Sequence, residues 1–211
     1  MTQIKKEWKS FFKNWSAINT VRIQYWFLKE IIKATNEDSS LLELGAGSGY
    51  TSLVVRFSNR PNVVASDIDS EVLKGVSDLV QNTLPVKKIN MFDTGLPPRS
   101  VDCVFHQGVL EHFSDSEIVA LLHEQGRIAK KIVFDVPNSR RFDKTQEHGD
   151  ERFLSVRHWK RLIVEAGLSI EKVEGRRMPK IFGILPAFLG ESRWLRKIFG
   201  TSSIFVCRRM S

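Results

Sequence analysis

The sequence predicts an α/β protein built on one mainly parallel sheet of seven strands, with helices on both faces. Three observations predict it. Short runs rich in β-branched and apolar residues alternate with amphipathic segments along the chain. Three glycines, Gly45, Gly47 and Gly49, cluster where the first such run gives way to a helical segment. An acid, Asp67, ends the second run twenty residues after Gly47.

Each element follows in order. The first 38 residues read as a helical cap, and residues 39–211 as the α/β domain. In "VRIQYWFLKEIIKAT" the spacing puts Val21, Tyr25, Leu28, Ile31 and Ile32 near one helix face. "SLLEL" is a short buried strand, and "TSLVVRFSN" a helix beyond the glycines. "NVVASDID" is the second strand and "SEVLKGVSDLVQN" a helix. "KKINMF" is a weak third strand; "VDCVFHQ", the fourth, is rich in β-formers. "SDSEIVALLHEQGRIAK" is a helix opened by a Ser-Asp cap signal. "KIVFDVP" is the fifth strand, stopped by Pro137. "SVRHWKRLIVEAG" is a helix that Gly167 can end. "LSIEKVEGRR" and "SSIFVCRR" are the sixth and seventh strands.

In an open parallel sheet, ligands lie beyond the strand C-termini, at the point where strand order reverses. The glycine loop falls there. Glycine permits positive φ and lets a ligand approach bare backbone. A phosphate-gripping loop ends Gly-Lys-Ser/Thr, whereas this one ends Gly49-Tyr50-Thr51 without lysine. The dinucleotide fingerprint is G-x-G-x-x-G, and G-x-G-x-G here is one residue tighter. Glu43 sits two residues before the first glycine. Asp67 is placed to accept hydrogen bonds from the ribose hydroxyls of a nucleoside; the alternative is a turn or capping acid, since "DIDSEVL" leads into a helix.

Composition sets outer bounds. The 211 residues are enough for one domain with a full core, and 42% hydrophobic with 27% charged residues is ordinary for a globular chain. No apolar run reaches the roughly 20 residues needed to cross a bilayer. "MTQIKKEWKSFFKNW" lacks the apolar core and cleavage site of a secretory signal, so a cytoplasmic setting is expected. Cys103 and Cys207 sit in apolar runs and are expected to be reduced core residues. The net charge of +8 fits an acidic acceptor, nucleic acid or a membrane surface, or simply a solvated basic face. "KIFGILPAFLGESRWLRKIFG", Lys180 to Gly200, mixes bulky apolar residues, Trp194 and cations. That is the composition either of a peripheral membrane segment or of a lid between the last two strands.

"LLELGAGSGYTS", "VVASDIDSEVL", "FDTGLPPRSVDCVF" and "GVLEHF" resemble, in that order, successive motifs of the class I S-adenosylmethionine-dependent methyltransferases, small-molecule type. The resemblance spans roughly Ser39 to Ser211. It implies a Rossmann-like three-layer sandwich whose last strand is antiparallel, with S-adenosyl-L-methionine as cofactor and S-adenosyl-L-homocysteine as product. It further implies that Glu43, Gly45, Ala46 and Gly47 line the methionine and ribose part. Asp67 would bind the ribose and Ile68 pack on adenine. An acid before "LP" would meet the adenine amino group; the spacing departs by about one residue, leaving Asp93 first and Asn90 second. Gln107 would lie under the methionyl arm. Arg22, on the N-terminal helix, is either a partner for the methionine carboxylate or a surface residue.

The expected function is methyl transfer to a small-molecule or lipid-like acceptor, on oxygen. The alternatives are an RNA or other nucleic-acid methyltransferase and a non-catalytic S-adenosylmethionine-binding protein. "QGVLEH" after the fourth strand is unlike the N-P-P-Y/F element of base-nitrogen methylation, and few aromatics accompany the basic clusters to stack bases. A hydroxyl acceptor can use a base, and histidine suits that role near neutral pH. His112 is the first candidate, with a loop-orienting role as its alternative; His148, in the polar stretch after the fifth strand, is the second. His106 reads as core, and His123 and His158 as surface. No histidine pair has metal-ligand spacing, and no metal is expected.

Overall fold

A computed structural model describes residues 17–81, 83–140, 151–176 and 200–210; the side chains of residues 17–19, 22 and 23 lie outside the description. The helices are α1 (Ala17–Ala34), α2 (Tyr50–Phe57), α3 (Ser70–Val80), α4 (Asp115–Ile128) and α5 (Val156–Glu165). The strands are β1 (Leu41–Leu44), β2 (Val63–Asp67), β3 (Val86–Lys88), β4 (Val101–Gln107), β5 (Ala129–Pro137), β6 (Leu168–Arg176) and β7 (Ser202–Arg209). They form one sheet in the order β3-β2-β1-β4-β5-β7-β6. β1 to β5 pair in parallel, and β7 runs antiparallel to both β5 and β6.

Alternation along the strands divides the core. Ile132, Phe134 and Val136 of β5 pack with Phe205 and Cys207 of β7 against α4 and α5, where Trp159 is fully buried. On the other face Phe105, Val133 and Ile204 meet Phe27 and Ile31 of α1 and Val55 of α2. A strand covered on both faces is apolar at successive positions, which is why these runs read as continuous rather than alternating.

Three local signals operate as expected. Ser114 caps α4 in a reciprocal box with Glu117. Gly167 follows α5 at φ +78°, and its N–H reaches the Val164 carbonyl at 3.0 Å. Cys103 and Cys207 are free and buried, and burial pushes both thiols up to about 12.

Two expectations are corrected. The buried stripe of α1 runs through Gln24, Phe27, Leu28 and Ile31, whereas Val21 and Tyr25 are about half exposed. Phe27, the largest apolar side chain of the helix core, takes the sheet-facing position. Gln24 can join that face because it accepts a hydrogen bond from the Thr51 hydroxyl at 2.9 Å. The third strand stops at Lys88 rather than continuing through "INMF". The Asn90 side chain accepts from the Phe92 N–H at 3.1 Å, which turns the chain out of the sheet.

Candidate active site

The C-terminal ends of β1 and β2 meet at the glycine loop. Gly45 has φ +69°, and a Cβ there would stand 2.9 Å from the Val109 side chain. Gly49, the N-cap of α2, has φ +75°, and its Cβ would stand 2.7 Å from Val76. Both positions need glycine for conformation and for space. Ala46 N–H binds the Ser66 carbonyl at 2.8 Å, tying the loop to β2.

Two acids frame the loop. Glu43 is 3% exposed, and its carboxyl accepts from Ser52 N–H at 3.1 Å and Ser52 Oγ at 2.5 Å. Burial raises it to about 8 in spite of those bonds. Asp67 accepts from Asp69 N–H at 3.0 Å and from Gly47 N–H at 3.4 Å, and burial raises its carboxyl as well. Asp69, not Asp67, caps α3, through the Glu71 N–H at 2.8 Å. Asp67 therefore joins strand end to glycine loop, and Ile68 beside it is 59% exposed.

The loop after β3 holds the two adenine candidates together: the Asp93 N–H donates to the Asn90 carbonyl at 3.2 Å, and the two form an isolated bridge. Ile89 N–H binds the Asp67 carbonyl at 3.0 Å, so Asn90 lies next to the Asp67 strand end. Asp93 stands close enough to Arg127, in the last turn of α4, to act on its charge.

Beyond β4 and β5 lies a floor of polar side chains. The Gln107 amide donates to Asp135 Oδ2 at 3.0 Å. Arg176 Nη2 meets that same oxygen at 2.8 Å, and Ser202 Oγ donates to Oδ1 at 2.6 Å. Asp135, Arg176 and Ser202 are all buried. The other Gln107 amide atom, Oε1, is buried and has no hydrogen-bond partner among the described residues. After Gln107 comes a short 3-10 turn, Leu110–His112. It buries Glu111, whose carboxyl is raised to about 8 by desolvation, and leaves His112 half-buried.

The sequence-expected residues thus divide. Glu43, Gly45, Ala46, Gly47, Asp67, Ile68, Asn90 and Gln107 come together along one sheet edge, with His112 on the turn past β4. Asp93 is bridged to Asn90 and so lies at the same place, with its charge also acting on Arg127 of α4. Arg22 is on α1, two residues before the Gln24 contact with Thr51, and its side chain lies outside the described residues; so do His148 and residues 180–199. His106 is core: Nε2 meets Gln125 Oε1 at 3.2 Å, and burial lowers it to about 4. His123 is exposed; His158 is half-buried and bound to Asp115 at 2.7 Å. The Asp135–Arg176–Ser202 cluster was not anticipated, and its only sequence signal is a lone acid inside the apolar run "KIVFDVP". Among the described residues, no three His, Cys, Asp or Glu side chains are grouped to hold a metal ion, and no helix is long and apolar enough to cross a membrane.

A glycine loop over β1, an acid ending β2 and a last strand turned antiparallel make up the Rossmann-like fold that solved methyltransferases share. Residues 42–132 match the family model described as a methyltransferase domain, and the chain is a methyltransferase with S-adenosyl-L-methionine as cofactor. Solved structures share the fold at low identity. One is a "complex between the Haloferax volcanii Trm112 methyltransferase activator and the putative methyltransferase": 17% identity, 97% of this chain and 98% of that one covered, TM-score 0.71. Another is magnesium protoporphyrin IX methyltransferase from Synechocystis PCC 6803 with bound S-adenosylhomocysteine: 14%, 99% and 95%, 0.71. A third is geranyl diphosphate C-methyltransferase from Streptomyces coelicolor A3(2), solved with Mg2+, geranyl diphosphate and S-adenosyl-L-homocysteine: 14%, 89% and 80%, 0.64. No curated protein matches the chain.

Proposed function

We propose that the chain transfers the methyl group of S-adenosyl-L-methionine to a small-molecule or lipid-like acceptor, with oxygen as the receiving atom. The observation that carries this reading is the buried polar floor past β4 and β5. Arg176 is 3% exposed and bound to Asp135, so it is no free cation for a phosphate backbone. A floor whose polar groups are paired out of water suits an acceptor taken into the protein rather than one spread over an open basic surface.

The roles follow from position. Gly45, Ala46 and Gly47 let the methionine and ribose part lie on bare backbone, with Glu43 buttressing the loop from below through Ser52. Asp67 accepts from the ribose hydroxyls, and Ile68 offers an apolar surface to adenine. Asp93 is the first proposed partner for the adenine amino group and Asn90, bridged to it, the second. Gln107 lies under the methionyl arm, and Arg22 is the proposed partner of its carboxylate. The cofactor supplies a methyl group already activated by the sulfonium charge. The chain's task is therefore alignment in a dry site, an effect worth roughly 7–11 kcal/mol when geometry is favourable. His112 is the proposed base for a hydroxyl acceptor, and His148 a proposed contact to it.

The test is a transfer screen with labelled cofactor over phenols, carboxylic acids, amines, lipids dispersed in liposomes, and RNA. Label in an oxygen acceptor supports the reading. Label found only in RNA, with binding that weakens steeply as salt rises, refutes it. Replacing His112 by asparagine should lower turnover with cofactor affinity kept; unchanged turnover removes the base role.

A further inference from the structure

Glu111 is a carboxylic acid with almost no access to water, 3% exposed, in the turn after β4. Its Oε2 has no hydrogen-bond partner among the described residues. Its Oε1 faces the backbone of Gly108, 3.7 Å from where a Cβ on that glycine would stand. Charged groups act on it from the elements around it: Asp135 from β5, Arg176 from β6 and Glu151 from the segment before α5. His112 follows it in its own turn. Arg152, next to Glu151, is bound to Asp115 at the start of α4 at 2.6 Å. Arg176, the cation that acts on Glu111, is already matched by Asp135 at 2.8 Å. An ionised Glu111 would therefore add negative charge beside two other buried acids, Asp135 and Glu151, with Arg176 bound to the first of them. Burial keeps it protonated up to about 8.

Such a group responds to positive charge. Gln107, proposed to lie under the methionyl arm, shares Asp135 with this cluster, so the cofactor's sulfonium comes to rest near it. A unit charge roughly 10 Å away, across an interior of effective dielectric about 20, changes a carboxyl's ionisation equilibrium by about tenfold. The product differs from the donor only in having lost the methyl group and that charge.

We infer that Glu111 is the group by which this site tells the charged methyl donor from its neutral product: it sheds a proton when the sulfonium arrives and regains one after transfer. The inference rests on the proposed position of Gln107. The balance is complete. Transfer to a hydroxyl breaks the carbon–sulfur bond, forms a carbon–oxygen bond and releases the hydroxyl proton to His112, the proposed base, and the ionised Glu111 takes up one proton in turn through water, leaving His112 neutral. Glu111 is then neutral again beside a neutral thioether, and the attraction that held the donor is gone when the product must leave.

Calorimetry of the whole chain tests this without turnover. At pH 7, S-adenosylmethionine should bind with release of about 0.4 proton, read from the dependence of the heat on buffer ionisation enthalpy. S-adenosylhomocysteine, which shares the amino and carboxyl groups, should release close to none. The donor's affinity should rise about fivefold from pH 6 to pH 8 relative to the product's. In Glu111→Gln the difference in proton release should vanish and the donor-to-product preference fall. Equal proton exchange by both ligands in the native chain overturns the inference while leaving the cofactor site intact. So does a difference that persists in Glu111→Gln and vanishes in Glu43→Gln, since Glu43 is the other acid raised to about 8 at this edge. If neither ligand binds, the cofactor placement itself fails, and the inference with it. The pH series on the native chain carries the test if the variant does not fold.

Discussion

Arg60 offers the sharpest test of how α1 is held. It is 8% exposed and spans the ends of two helices. Nε donates to Thr35 Oγ1 at 3.0 Å, and Nη2 to the Ile32 and Thr35 carbonyls at 3.0 and 2.9 Å. Nη1 donates to the Asn59 carbonyl at 2.9 Å. The guanidinium thus satisfies carbonyls that a helix C-terminus leaves open and places a cation at the negative end of α1. Replacing it with methionine keeps the stem and removes every donor. A buried carbonyl left without a partner costs about 1–3 kcal/mol. With two carbonyls at the close of α1 and some water reaching them, the expected loss is about 3 kcal/mol. For a chain of this size that lowers Tm by roughly 6–12 °C. Urea unfolding followed by circular dichroism gives the free energy directly, and Arg60→Lys should recover about a third of the loss. A loss below about 1 kcal/mol in Arg60→Met would show that water replaces the guanidinium, and would refute the view that it pins α1 to α2.

Three further outcomes are expected. Gly49→Ala should cost about 2–3 kcal/mol in urea unfolding, because its φ of +75° and the 2.7 Å approach to Val76 both resist a Cβ. Asp67→Asn should weaken S-adenosylmethionine binding by about tenfold or more in calorimetry, with the Tm of the unliganded chain held or raised, since a carboxyl disfavoured by burial is removed. Glu111 is raised to about 8 in the folded chain, so its stabilisation is full below the ordinary carboxyl value and is lost as pH climbs to 8. The Tm of Glu111→Gln relative to the native chain should therefore rise from pH 5 to pH 8, by at most about 1.4 kcal/mol of stability per pH unit; a gap that stays constant over that range would contradict the buried neutral acid.

The legible parts of the molecule are those set by neighbours in sequence. β4 is bounded at Val101 and Gln107, as its run of β-formers indicates. The loop glycines declare their positive φ through their spacing, and Ser114 and Gly167 mark helix ends by local hydrogen bonding. Failure came where a side chain found a distant partner or changed the local competition. Val21 and Tyr25 are half exposed while the polar Gln24 turns inward, because Thr51, 27 positions away, donates to it. Asn90 turned the third strand out of the sheet with its own carboxamide. The polar floor was illegible because its members are far apart in the chain: Ser202 reaches Asp135 across 67 positions. No periodicity reports a hydrogen bond of that separation.

The position of β7 has a consequence for how the chain is made. Of the seven strands it is synthesised last, yet it lies between β5 and β6, and its first six residues are buried. While the ribosome is still producing the segment before Ser202, β5 carries an open edge and β6 has no strand to join. Those unpaired edges are the surfaces that nascent chains expose to chaperones or to each other. The sheet is completed only when Ile204 and Phe205 slide into a gap that every earlier strand has left for them.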